Sequence, residues 1–431
     1  MTSVRARRPS VLLPLTHLLT AAAAFVLAAL ALPWLATDLA GHYYHPRLLA
    51  LTHTLTLGWI TLTIMGASYQ IIPIVLGKTL WSERLAWWQY GLFVTGVVGI
   101  VAHFFIAQWP GLLWSAGLLA IGTATHVLNA ALTARGLQRW TITARLVALA
   151  LAGFALTALF GAALGVEHVR AWLPGTFFAR LHAHVHLALL GWVLPMVIGV
   201  AARIYPMFLL APEPSARVSA IQWWGISVGV PVTVGALLLD SPLVAVGACA
   251  VAAAVAAHVT WVLSAVRASR RPALDWGLRL ALAGAAFAVP ATALGLGLAF
   301  DLVGGPRWAM AYAVLVFGGW ASLTITGMML KIVPFLVWYR AYGPLVGRAP
   351  VPTMAQLSWP AAERIAFVLL VTGMSVLAVA VGTGDATAIR AAAILVAAGA
   401  VSFGASLARV VHHTMPRVMP RAPLAGRAVM S

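Results

Sequence analysis

Charge is what this sequence has least of. Only 8% of its 431 residues are Asp, Glu, Lys or Arg, and just nine are acidic. A chain this poor in solvating groups, 62% hydrophobic and with a mean hydropathy of +0.96, cannot cover an ordinary soluble surface. It reads as an integral membrane protein whose first partner is the lipid bilayer. Cysteine is nearly absent. Cys249 stands alone in an apolar run, which excludes a disulfide, a Cys-x-x-Cys-His heme attachment and a thiolate zinc site. Metal chemistry therefore falls to histidine. Long soluble inserts are missing as well: the longest connection, around 339–360, carries Pro344, Pro350 and Pro352.

What the chain has instead is apolar runs long enough to cross a bilayer. Twelve occur, near 11–36, 47–76, 86–108, 111–134, 144–166, 180–210, 218–239, 242–266, 278–300, 308–338, 361–382 and 388–411. The net charge of +18 is a topology signal, not a mark of nucleic-acid binding. With the Arg5/Arg7/Arg8 end inside, only Arg47, Arg170, Arg180, Arg307 and Arg390 of the 27 Lys and Arg fall outside. The expectation is a cell-membrane protein with both termini cytoplasmic, a retained first span and a basic tail at 415–431.

One pattern recurs three times. Gly58-Trp59, Gly66 and Pro73 repeat as Gly191-Trp192, Gly199 and Pro206, and again as Gly319-Trp320, Gly327 and Pro334. Given 38 Gly, 18 Trp and 24 Pro, one such match is expected by chance only about 0.01 times, so the copies mark an internal repeat. His53, His186 and Val314 stand five residues before the Gly; Gln70, Arg203 and Lys331 stand three before the Pro. Phe25, Phe154 and Phe287 recur in spans 1, 5 and 9, and His126 and His258 in spans 4 and 8. The prediction is one all-α membrane domain, 1–431. Its twelve transmembrane helices form three pseudo-threefold-related groups of four, at about 11–136, 144–268 and 278–410. Four is even, so all three units run the same way through the membrane.

His53 and His186 lie at equal depth, about two turns into the membrane. An imidazole there needs a partner: either a neighbouring backbone carbonyl or the iron of a heme, for which two equivalent histidines are apt axial ligands. His182 shares a helical face with His186, while His184 points elsewhere. With His42 and His45 in the outer loops, these residues suit either a copper site at the outer mouth or a solvated histidine rim. Arg47 and Arg180 at the same rim suit heme propionates or interfacial anchoring. His103, His126 and His258 are read as satisfying neighbours, and Lys331 and Arg203 as reaching for the surface.

Twelve spans, three arcs of four helices and a span-2 histidine near the outer face together resemble subunit I of the heme-copper oxidases. The phrase Met65-Gly66-Ala67-Ser68-Tyr69-Gln70-Ile71-Ile72-Pro73 is most similar to the C-type oxidase and nitric oxide reductase branch. The resemblance implies that His53 ligates a heme b, and that His186 or His182 matches a metal-binding position. It also implies an electron-donor protein or quinol as partner. The sequence departs from the family where spans 7 and 10 would supply four more histidines: residues 215–240 and 308–338 contain none. The implied activity is therefore electron transfer or binding of O2 or NO, not standard oxidase chemistry. A copper or heme handling protein using the outer histidines, and a terminal reductase with unusual ligands, are the alternatives.

Overall fold

The computed structural model describes residues 11–414; the Arg5/Arg7/Arg8 segment and the basic tail 415–431 lie outside the described residues. Among those described there are helices and no strand. Twelve helices are long and apolar enough to cross a membrane. They are α1 (Leu12–Leu39), α2 (Pro46–Leu76), α3 (Glu83–Phe105), α4 (Trp109–Thr133), α5 (Ile142–Glu167), α6 (Phe177–Leu209), α7 (Ala216–Leu238), α8 (Leu243–Arg267), α9 (Trp276–Ala299), α10 (Pro306–Ala341), α11 (Pro360–Thr383) and α12 (Ala386–His412). Every boundary falls within three residues of the hydropathy reading, because apolar length is a local property of the chain.

The starts are set by local chemistry. Ser82, Thr141, Thr176, Ser215, Asp275 and Asp385 accept hydrogen bonds from first-turn amides of α3, α5, α6, α7, α9 and α12. Pro46, Pro306 and Pro360 open α2, α10 and α11, where a missing N–H costs nothing. Gly77 ends α2 in the left-handed conformation.

Consecutive helices pack side by side, and α12 returns to pack on α1. The centre belongs to α2, α6 and α10, whose most apolar windows are 61, 61 and 72% buried against 22–50% for the other nine. These are the three helices carrying the repeat. Each contains a π-helical segment that includes its Gly-Trp: Thr54–Thr61, Leu187–Val193 and Val314–Ser322. Such wide turns are rare and free backbone groups from the regular ladder. Hydropathy carries no signal for them.

Equivalent residues make equivalent contacts. Phe25 stacks on Trp59 (4.7 Å between ring centres) and Phe154 on Trp192 (4.2 Å), whereas Phe287 lies against Gly319. A side chain at Gly66 would meet His17; one at Gly199 would meet Leu146, and one at Gly327 would meet Ala281. In each unit that glycine lets the first helix press against the second. The pairings also align the units: Phe25 with Phe154, and His17 with Leu146. At the far end Lys331 does not simply reach for water, since its ammonium sits 2.5 Å from Asp275.

Candidate functional site

His53 is the last residue of a regular α segment, and the π segment begins at Thr54; His186 stands in the same relation to Leu187. In both, Nδ1–H donates to the carbonyl one turn back, Leu49 O at 2.7 Å and His182 O at 2.8 Å. That bond fixes the tautomer and leaves Nε2 with its lone pair outward. Both roles weighed for these residues are thus compatible: the carbonyl takes one nitrogen and leaves the other free.

What happens at Nε2 separates the histidines. His182 Nε2 accepts from the Tyr43 hydroxyl (2.9 Å) and His168 Nε2 from Tyr44 (2.7 Å). Burial raises both phenols above their usual range, so they stay protonated donors. His126 Nε2 lies 3.3 Å from Ser68 Oγ, and His17 Nε2 lies 3.1 Å from Gln89 Oε1. His103 hydrogen-bonds Gly99 O and Ser115 at the edge of Trp114, a histidine satisfying its neighbours. No hydrogen bond reaches Nε2 of His53 or of His186 among the described residues. Each of these two rings is half-buried and lies along one aromatic face, Phe104 at 4.7 Å and Tyr312 at 6.0 Å.

His184 sits against α5, edge-on to Phe160 and over Gly161, with a buried Nδ1 that has no partner. The helical reading has His184 pointing away from His182 and His186, and tertiary packing sets it on α5.

At the α1–α2 loop His42 is exposed and its ring lies tilted against Tyr43, which touches His182. His45 is directed at Asp38 instead, 4.0 Å away. Among the described residues no group of three or more His, Cys, Asp or Glu lies close enough to hold a metal ion. Arg47 is largely exposed and 3.8 Å from Asp38. Arg180 is buried and committed: it pairs with Glu167 at 2.8 Å and donates to the carbonyls of Leu173, Pro174 and Gly175. Glu167 in turn accepts from the amides of Trp172 and Leu173. This network pins the α5–α6 loop at this end of the bundle, a role that sequence alone did not suggest.

Beyond the π segments lies an apolar cavity of about 100 Å³ on the axis between α2, α6 and α10, lined by residues such as Thr63, Ala67, Met196, Val200, Thr324 and Met329. It contains no histidine, and tryptophan hydrogen bonds close its histidine side. Trp59 donates to Ser322 and Trp192 to Thr61.

Residues 1–241 match the family described as Cytochrome C and Quinol oxidase polypeptide I. That stretch spans α1 to α7 and includes His53 and His186. No curated protein matches the chain.

Proposed function

The chain belongs to the cytochrome c and quinol oxidase polypeptide I family, and from that membership we propose that it is a heme b-binding membrane protein with His53 and His186 as iron ligands. One observation carries the reading. Two repeat-equivalent imidazoles each have Nδ1 tied to the helix and Nε2 without a protein partner, beside a flat aromatic ring. That is the donor chemistry of an axial ligand. A bound heme would supply a one-electron couple and a binding place for a diatomic gas.

The protein's own residues define the rest. Arg47, exposed and loosely paired, is free to turn toward a propionate; Arg180 is held by Glu167 and three carbonyls. Helices α7 and α10 contribute no histidine, so the donor set of the family's binuclear centre is incomplete. The role that fits is electron transfer or O2/NO binding, fed by a quinol or an electron-donor protein, in the cell membrane with both termini cytoplasmic. The cyclic tryptophan bonds, unit 1 to unit 3 and unit 2 to unit 1, support a pseudo-threefold arrangement of the units at 11–136, 144–268 and 278–410.

A second reading, copper or heme handling at the outer rim, draws on His42 and His182 sharing Tyr43 and Phe178 as neighbours. Visible spectroscopy of the purified protein separates the two. A reducible Soret band lost in His53→Ala and His186→Ala supports the first, and stoichiometric copper without heme supports the second.

A further inference from the structure

The first and second units solve the same packing problem differently. In unit 1, Gly96 packs on Ser115 and Leu119 of α4, and Gly122 on Phe93 of α3. One turn further along that register, Gln89 stands level with His126. Both are fully buried: Tyr69 donates to Gln89 Oε1 (2.9 Å), His17 lies 3.1 Å from the same oxygen, Gln89 Nε2 reaches Met65 Sδ, and Ser68 lies 3.3 Å from His126 Nε2, while His126 Nδ1 has no partner.

Unit 2 keeps the pair and loses the partners. Gly225 packs on Ala250 and Ala254, Gly229 on Ala250 and Val251, and Gly247 on Thr233. The same register continued one turn sets Gln222 level with His258, as Gln89 is with His126. The repeat alignment puts Leu146, Ala201 and Ala202 where unit 1 has His17, Ser68 and Tyr69. None of these offers a polar side chain. Gln222 is 0% exposed with neither amide atom hydrogen-bonded, and His258 Nδ1 and Trp261 Nε1, one turn apart on α8, are likewise buried without partners. His258 and Trp261 rings lie 5.8 Å apart, with Tyr205 of α6 against Trp261.

A buried amide, imidazole and indole N–H with no partner are strongly disfavoured in a membrane interior. Together they offer donors and acceptors of the kind that holds an internal water through two to four polar contacts. Exchanging Tyr69 for Ala202 also removes a phenol ring from this level, partly refilled by Trp261 where unit 1 has Asn129. We infer that unit 2 binds ordered water at Gln222, His258 and Trp261, in place of the side-chain partners that unit 1 supplies itself. The site is independent of the heme reading, since none of its residues touches His53 or His186. It gives one arm of the bundle an exchangeable polar centre where the other surrounds its glutamine with side-chain partners.

The test compares infrared spectra of the purified full-length protein hydrated with H2¹⁶O and H2¹⁸O. The wild type should show an isotope-sensitive O–H stretch that is missing in Gln222→Leu. A transplant variant, Ala202→Tyr with Trp261→Asn, restores the unit 1 solution and should lose the same band while remaining folded; it carries the test if Gln222→Leu fails to accumulate. The same band in both variants would overturn the inference. So would a high-resolution structure with density too large for water, or no density, beside Gln222.

Discussion

Trp192 donates its indole N–H to the Thr61 hydroxyl at 3.2 Å, joining residues 131 positions apart at the level where three π-helical segments meet. Its counterpart Trp59 donates to Ser322 at 3.1 Å. Each acceptor stands two residues after the tryptophan of another unit. The third acceptor position is Leu194, which has no hydroxyl, so the cycle has two links. Thr61→Val should therefore leave a buried indole donor unpaired and destabilise the protein by about 1–3 kcal/mol. Thermal unfolding of Thr61→Val, Trp192→Phe and the double variant checks this, with a double-variant cost below the sum of the singles.

Loss of either proposed iron ligand should change the pigment, not the fold. His53→Ala and His186→Ala are expected to abolish or convert the bound-heme spectrum, while His103→Ala leaves it nearly unchanged. Unaltered spectra in both ligand variants, alongside normal expression, would remove them from consideration as ligands.

The two rim arginines should part company. Arg180→Met removes the partner of Glu167 and the donor to three carbonyls, and should lower the melting temperature measured by thermal unfolding. Arg47→Ala removes a largely exposed charge whose loss should cost little stability. If Arg47 meets a propionate, that variant releases heme more readily or shifts its potential, as a redox titration would show.

Metal content addresses the chemistry of the centre. Four-electron oxygen reduction needs a second metal beside the heme, held by several imidazoles at roughly 2.0–2.1 Å. The expected result is iron without equimolar copper, and no cyanide-sensitive oxygen consumption with artificial donors. One tightly held copper per heme with rapid oxygen uptake would establish instead a reductase built on the outer histidines.

Orientation is testable without any cofactor. Single cysteines placed at Arg135, Arg267 and Arg340, in a Cys249→Ala background, should react with membrane-permeant reagents only, because the Lys/Arg bias puts those ends inside. Labelling by an impermeant reagent from outside would reverse the topology.

The sequence by itself determined the twelve spans and the repeat that marks α2, α6 and α10. These are local or periodic properties: apolar length, and a Gly-Trp recurring after a fixed interval. Tertiary structure alone decided which polar atoms meet. Arg180 read as a rim cation and proves to be locked by Glu167 and three carbonyls; His184 read only as pointing elsewhere and packs edge-on to Phe160 of α5. Gln222 and Gln89 look alike in sequence, yet only one has partners. The physical reason is that a side chain's partner depends on the rotation of each helix about its axis and on the register between helices. Hydropathy constrains neither, and a single Tyr-to-Ala exchange on one helix changes what a glutamine on another can bind.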